Sequence, residues 1–393
     1  MSGLTPNAQN RMDKRILIDA TNVNITKPGG GSACVRAYIE ALLVLFPGRV
    51  DVILPEEARI HDSRFNTIYA YPRKPLARVM GLFKGQIHRG ASVVISHLKK
   101  HYDEYEYVFL NGGLQASSII SATLKMPIKT IVLHHNFESE YQIDSRTLIS
   151  LKGRTDLFIR YLEKRAYRNA TVNLFLTQQD QSLFENAYGK RANNHITGIF
   201  EPTNERASLT PSCNKSAVIT CSLGAEQNKY PILRFIDNYY PVFTQLLPNW
   251  QLQIMGRAPG REIMEIGRQH ANITIVPNPQ DIHVLASQST IYICPMDAGG
   301  GIKLRIMDGL RMGQPILVHE RSARGYDILF DKPFFKIYND SESFAFGINA
   351  LIQYTQKQPD YRQIIQDTYY ETFSLKSGIS RLRGVFQMQK QTF

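Results

Sequence analysis

Along most of the chain, short apolar runs bounded by polar residues alternate with segments whose apolar positions recur at helical spacing. Arg15 to Ala20 (RILIDA) is the first such run. After a glycine loop, Val35, Tyr38, Ile39, Leu42, Leu43 and Phe46 follow with the period of a helix, and Pro47-Gly48 stops the pattern. VDVIL (50–54) reads as the next strand, and YVFLNGG (107–113), KTIVLHHN (129–136) and TVNLFLT (171–177) continue the series, with a helix between the last two. TNERASLTPSCNKS (203–216) has neither period and reads as a linker. A second series begins at once: AVITCSLG, one helix through YPILRFIDNYYPVFTQLL, then WQLQIMG, ITIVPN, TIYICPM and PILV. Strand-helix alternation predicts parallel sheets with helices on both faces. The fold class is therefore α/β, with two doubly wound domains facing each other across a cleft. The predicted division is 1–205, 206–375, and a C-terminal helix over 376–393 that packs back on the first domain. Ligands of such sheets lie outside the carboxyl ends of the strands.

Length agrees with two domains, because 393 residues at 43% hydrophobic content exceed one ordinary core. No apolar stretch is long enough to span a bilayer. Arg11, Lys14 and Arg15 run directly into ILIDA, which leaves no signal-peptide core and places the protein in the cytoplasm by expectation. Cys34, Cys213, Cys221 and Cys294 are scattered without metal-ligand spacing and read as reduced packing residues.

The formal net charge of +12 calls for an acidic partner. From Ser63 to Tyr102 there is no Asp or Glu, while Arg64, Arg73, Lys74, Arg78, Lys84, Arg89, Lys99 and Lys100 fall among apolar residues. Such a segment (63–102) suits an anionic membrane surface at the inner face of the cell membrane, or else a solvated helix over the core. No nucleic-acid partner is expected, since no recognition motif accompanies the charge.

The chemistry concentrates in DAGGGIKLRIMDGLRMGQPILV (297–318). Three glycines, Gly299, Gly300 and Gly301, precede a helix expected to open near Ile302, where bare amides and the macrodipole attract anions. Lys303 and Arg305 add positive charge. Asp308, nearly two turns along the expected helix, could accept hydrogen bonds from a sugar diol; a phosphate beside a diol describes a nucleotide. Three further strand ends carry matching groups: KPGGGS with Gly30 and Gly31; LHHNFESEY with His134, His135 and Glu138; and SLGAEQNKY with Lys229. VPNPQDIHVLA offers Asn278 and Asp281 for a base pocket.

At these residues the chain resembles glycosyltransferase family 4, the nucleotide-sugar-dependent retaining enzymes of GT-B fold (glycosyl transferases group 1), and the likeness spans nearly the whole sequence. GGGIKLRIMDGLRMGQPILV is similar to the family's Gly-Ile-Lys, Glu-Ala and Gly-Lys-Pro pattern. LHHNFESEY, LFLTQQDQSLFENAYG and QLQIMGRAPG resemble three further family segments. The resemblance implies two Rossmann-like domains and transfer of a sugar from a UDP- or GDP-sugar donor to a surface-glycan or lipid-linked acceptor. It gives His135 or His134 a hydrogen bond to the donor sugar and Lys229 the leaving diphosphate. Gly300, Gly301, Ile302 and Lys303 would hold that diphosphate or the ribose, Asp308 the ribose hydroxyls, and Gly30 and Gly31 a close approach to donor and acceptor. Where family members place a first glutamate this chain has Gly300, with Asp297 nearby but out of register, and Asp308 stands where they carry a second. The resemblance implies no cofactor beyond the nucleotide-sugar co-substrate and no bound metal. Two alternatives share the motifs: a GT-B nucleotide-sugar epimerase, and an inactive homologue that binds nucleotide-sugar or polyanion. A dinucleotide oxidoreductase fits less well, because IDATNVNITKPGGGS is not the Gly-x-Gly-x-x-Gly fingerprint.

Overall fold

The computed structural model describes residues 14–27, 29–71, 90–138, 152–209, 214–298 and 301–391. The chain divides into two compact units, Met1–Asn204 with Ser374–Phe393, and Glu205–Phe373.

The first unit is built on seven parallel strands: β1 (Arg15–Asp19), β2 (Val50–Pro55), β3 (Asn66–Ala70), β4 (Tyr105–Asn111), β5 (Lys129–His134), β6 (Val172–Phe175) and β7 (Asn194–Ile196). Their order is β3-β2-β1-β4-β5-β6-β7. The chain winds outward from β1 in one direction, then returns to start again at β4. That reversal lies between β1 and β4, which stay paired through Asp19 and Leu110 while the connections beyond their carboxyl ends run in opposite directions. Strands covered on both faces need apolar residues at consecutive positions, which is why β2 is buried at all six of its residues.

The helix Gly30–Leu45 buries Val35, Tyr38, Ile39, Leu42 and Leu43, the stripe that the spacing predicts. The last helix, Leu375–Gln391, packs against it. Phe386 of the last helix meets the rings of Phe46 at 5.0 Å and Tyr107 at 5.1 Å. Gly378 permits the approach of this helix, since a Cβ there would come within 2.3 Å of the Phe200 ring.

The second unit repeats the plan with six parallel strands: β8 (Asn214–Ser222), β9 (Gln251–Arg257), β10 (Ile273–Pro277), β11 (Ser289–Cys294), β12 (Ile316–His319) and β13 (Phe335–Tyr338). The order β10-β9-β8-β11-β12-β13 puts its reversal between β8 and β11. A close strand contact fixes this sheet: a Cβ on Gly256 would lie 1.7 Å from the Cys221 carbonyl oxygen.

Two local expectations change. The segment read as one helix through YPILRFIDNYYPVFTQLL is two helices, Glu226–Asn238 and Tyr240–Leu246. Pro241 sits in the first turn of the second, where its missing N–H has no intrahelical partner to lose. The helix expected near Ile302 begins at Arg305 instead and ends at Arg311. Gly301 is left-handed (φ +75), and the Lys303 carbonyl accepts from the Ile306 amide and the Tyr326 hydroxyl, so this stretch turns before the helix starts. Among the described residues no helix is long and apolar enough to cross a membrane. Cys34 and Cys294 are buried and Cys221 partly so, all three as free thiols; Cys213 lies outside the described residues.

Candidate functional site

In the first unit, the carboxyl ends of β1, β4 and β5 carry a chain of polar side chains. Asp19 is buried and accepts from the Thr21 amide (3.1 Å) and hydroxyl (2.7 Å), which folds the backbone sharply after β1. Burial raises its carboxyl above the usual range, against the pull of the two Thr21 bonds. The turn delivers Asn22, whose amide nitrogen donates to the Asn111 carbonyl oxygen at 2.8 Å. The Asn111 side-chain nitrogen donates back to Asn22 Oδ1 at 2.7 Å, and Asn111 Oδ1 pairs with His135 Nε2. After β4, Gly112 is left-handed (φ +97), and a Cβ there would crowd the Gln115 side chain at 2.4 Å. Asn22 and Asn111 lie inside strand-end segments, and nothing in the sequence marks either for a role. Neutral amides give no charge signal, and the pair is 89 residues apart.

His134 and His135 lie in different surroundings. His134 is 1% exposed, stacked on Phe175 with ring centres 5.1 Å apart, and bonded through Nε2 to Asn173 Oδ1 at 2.9 Å. It belongs to the core. His135 is half-buried next to the Asn22–Asn111 pair. Burial lowers both imidazoles to about 4. Glu138 is tied down through its amide, which donates to the buried Glu163 at 2.8 Å. Gly30 opens the helix Gly30–Leu45, with Gly29 at the cap position and no side-chain cap. At Gly31 a Cβ would meet only Val23, at 3.8 Å, so the fold leaves room for one.

In the second unit, Arg305 reaches across from the helix that follows β11 to the carboxyl-terminal part of β8. Arg305 reaches the Thr220 carbonyl and Asn228 Oδ1, both at 3.4 Å, while Asn228 donates to the Ser222 carbonyl at 3.0 Å. Burial lowers the Lys303 ammonium, and the nearby guanidinium groups of Arg305 and Arg324 lower it further, with Cys294 acting in the opposite sense. Like charges oppose one another, and an anion beside Lys303 would relieve that. Ile302 and Gly301 lie in the turn that leads into this group; Gly299 and Gly300 lie outside the described residues.

The remaining predicted residues have protein partners. Lys229 is held 3.0 Å from both Glu226 and Glu262 and lies beside the Tyr230 ring, and the two carboxylates raise its ammonium above the ordinary lysine range. Asp297 is gripped by the Arg234 fork; burial alone would raise its carboxyl, and Arg234 outweighs that to hold it below the usual range. Asp308 lies in the first turn of Arg305–Arg311, not nearly two turns along, because the helix starts later than expected. Its carboxylate is 3.9 Å from His283 Nδ1. Asp281 caps the helix Ile282–Ser287, accepting from the His283 and Val284 amides at 3.0 Å each. Asn278, left-handed at φ +48, accepts from the Ala258 amide at 2.9 Å. Among the described residues no group of three His, Cys, Asp or Glu side chains is arranged to hold a metal. Of the basic segment 63–102, residues 72–89 lie outside the described residues, including Arg73, Lys74, Arg78, Lys84 and Arg89.

No family model and no curated protein sequence matches the chain. Solved structures do. Sucrose-phosphate synthase from Thermosynechococcus elongatus superposes with a TM-score of 0.68 at 13% identity, over 97% of this chain and 100% of that one. The chain has the GT-B fold. Anabaena HepE in complex with UDP-glucose gives a TM-score of 0.65 at 15% identity, over 96% of this chain and 99% of that one. The lipopolysaccharide outer core galactosyltransferase WaaB gives 0.67 at 11% identity, over 96% and 99%. The likeness is one of GT-B architecture, carried by sheet order and helix placement rather than by sequence.

Proposed function

We propose that this chain is a glycosyltransferase that moves a sugar from a UDP- or GDP-sugar to a surface-glycan or lipid-linked acceptor, with retention at the anomeric carbon. The observation that carries the reading is the half-buried cation pair Lys303 and Arg305, with Arg305 reaching Thr220 and Asn228, in a unit whose fold is shared with a protein that binds UDP-glucose. Donor diphosphate takes its place against Lys303 and Arg305, with Gly301 and Ile302 keeping the backbone close. Asp308 accepts from the ribose hydroxyls from the first turn of the helix that follows Lys303.

In this reading the bond between the anomeric carbon and the diphosphate oxygen breaks as the acceptor hydroxyl bonds to that carbon from the same face. The acceptor proton passes to the departing phosphate oxygen, and no covalent enzyme intermediate forms. The protein's contribution is oriented positive charge where negative charge develops, which for one such group amounts to on the order of 100-fold in rate. Lys229 serves the diphosphate only after exchanging Glu226 or Glu262 for it.

The test is donor turnover. Wild-type protein supplied with a UDP- or GDP-sugar and an acceptor glycan should release nucleoside diphosphate and lengthen the acceptor, and Lys303→Ala should lower the rate on the order of 100-fold. Conversion of the donor into an isomeric nucleotide-sugar with no acceptor consumed would replace transfer by epimerisation. Equal turnover by wild type and Lys303→Ala would remove Lys303 from the site.

A further inference from the structure

The two neighbouring histidines at the end of β5 each face an asparagine, and hydrogen-bond direction can be followed from a fixed point to each imidazole. For His135 the fixed point is the Asn111 backbone carbonyl, which can only accept. The group of Asn22 that meets it at 2.8 Å must be the NH2. Asn22 then has only its oxygen left to face the Asn111 side chain, at 2.7 Å, so the group it meets there is the Asn111 NH2. Asn111 must in turn present its own oxygen to His135 Nε2. An oxygen that only accepts requires a hydrogen on that nitrogen.

We propose that Asn22 and Asn111 are positioning residues that hold His135 as the Nε2–H tautomer, so that its Nδ1 lone pair accepts a hydrogen bond from a hydroxyl of the sugar substrate. Nδ1 makes no hydrogen bond among the described residues, and the ring is half-buried at the carboxyl edge of the sheet. Burial keeps the imidazole neutral at pH 7, which preserves that lone pair. A lone pair attracts O–H donors and repels phosphate oxygens, so His135 suits the carbohydrate and not the diphosphate. The hydroxyl assignment rests on the proposed glycosyltransferase reading, whereas the tautomer depends only on the asparagine pair.

His134 supplies an internal reference. The Asn173 NH2 donates to the Tyr167 carbonyl at 3.0 Å, so Asn173 Oδ1 faces His134 Nε2 and the same tautomer follows. The two rings are governed by different asparagines, Asn173 on β6 and Asn111 on β4, the strands that flank β5.

Nitrogen-15 NMR of histidine-labelled, ligand-free protein distinguishes the tautomers directly. Both residues should show Nε2 protonated and Nδ1 bare at pH 7. In Asn111→Ala, His135 should become a mixture of tautomers while His134 stays unchanged, which also reports that the core is intact. If that variant does not fold, Asn111→Asp should keep Nε2–H and raise the His135 titration above about 4, because the new carboxylate favours the imidazolium. Binding then separates the two claims: Asn111→Ala should weaken nucleotide-sugar affinity roughly tenfold while nucleoside diphosphate affinity holds. Nδ1–H in the wild type, or a His135 tautomer indifferent to Asn111, overturns the proposal. A correct tautomer in a protein that binds no nucleotide-sugar overturns the glycosyltransferase reading and leaves the asparagine pair standing.

Discussion

Single residues decide how charge is managed in both units, and His134 shows it most simply. Unfolded, an imidazole titrates near its ordinary value of 6.5; in the core it titrates near 4. Above pH 6.5 both states are neutral and the residue contributes no pH dependence. Between 6.5 and 4 the unfolded chain takes up a proton that the native state refuses, so stability falls with pH. The two values correspond to a loss of about 2 kcal/mol at pH 5. Urea denaturation at pH 7 and pH 5 should therefore show His134→Gln losing about 2 kcal/mol less over that interval than the wild type; an identical drop in both would mean that His134 is not neutral in the fold. Other residues were legible to different degrees. Lys303 and Arg305 stood out because full charges beside glycines have few structural uses. The partners of Lys229 were half visible: Glu226 lies three residues before it on one helix, but Glu262 is brought in by tertiary structure. The Asn22–Asn111 pair carried no local signal at all. Asp281 and Asn278, expected at a base pocket, hold a helix cap and a loop tie, neither of which leaves a periodic signal.

At the scale of elements, glycines separate into those the fold needs and those it does not. A Cβ on Gly256 would meet a carbonyl oxygen of the neighbouring strand, which cannot move without breaking the β8–β9 ladder. Gly256→Ala should cost more than the roughly 1–3 kcal/mol typical of an overpacked core, or abolish folding. Gly31 is different: it sits in the first turn of a helix with space around it, so Gly31→Ala should fold at least as stably. Its cost should fall on ligand affinity if the loop approaches substrate backbone-first. Melting of both variants checks the pair, and a stable Gly256→Ala beside a destabilised Gly31→Ala would reverse the assignment. Helix starts were the least legible feature. The sequence pattern of Gly301 to Asp308 fits a helix from Ile302, yet the left-handed Gly301 and the Tyr326 hydrogen bond to the Lys303 carbonyl delay it to Arg305. Tyr326 is too distant in sequence for any periodicity to show this.

For the whole molecule, the alternation of apolar runs and helical stripes was sufficient to predict two parallel α/β units, because strands covered on both faces must be apolar throughout. Strand order was not written in the pattern; in each sheet the chain winds outward from a central strand and then returns to its other side. Proteins of the same architecture at 11–15% identity differ at most positions, so the fold is specified by where apolar residues fall rather than by which they are. In the proposed function, activity depends instead on a few charges. The central claim is that the second unit binds a nucleoside diphosphate through Lys303 and its neighbours, and titration calorimetry with UDP and GDP tests it most directly. One of the two should bind the wild type, with Lys303→Ala weakened about tenfold to a hundredfold, as expected for loss of a charge-assisted hydrogen bond. Wild-type protein that binds neither, or a Lys303→Ala variant that binds as tightly, would contradict the account.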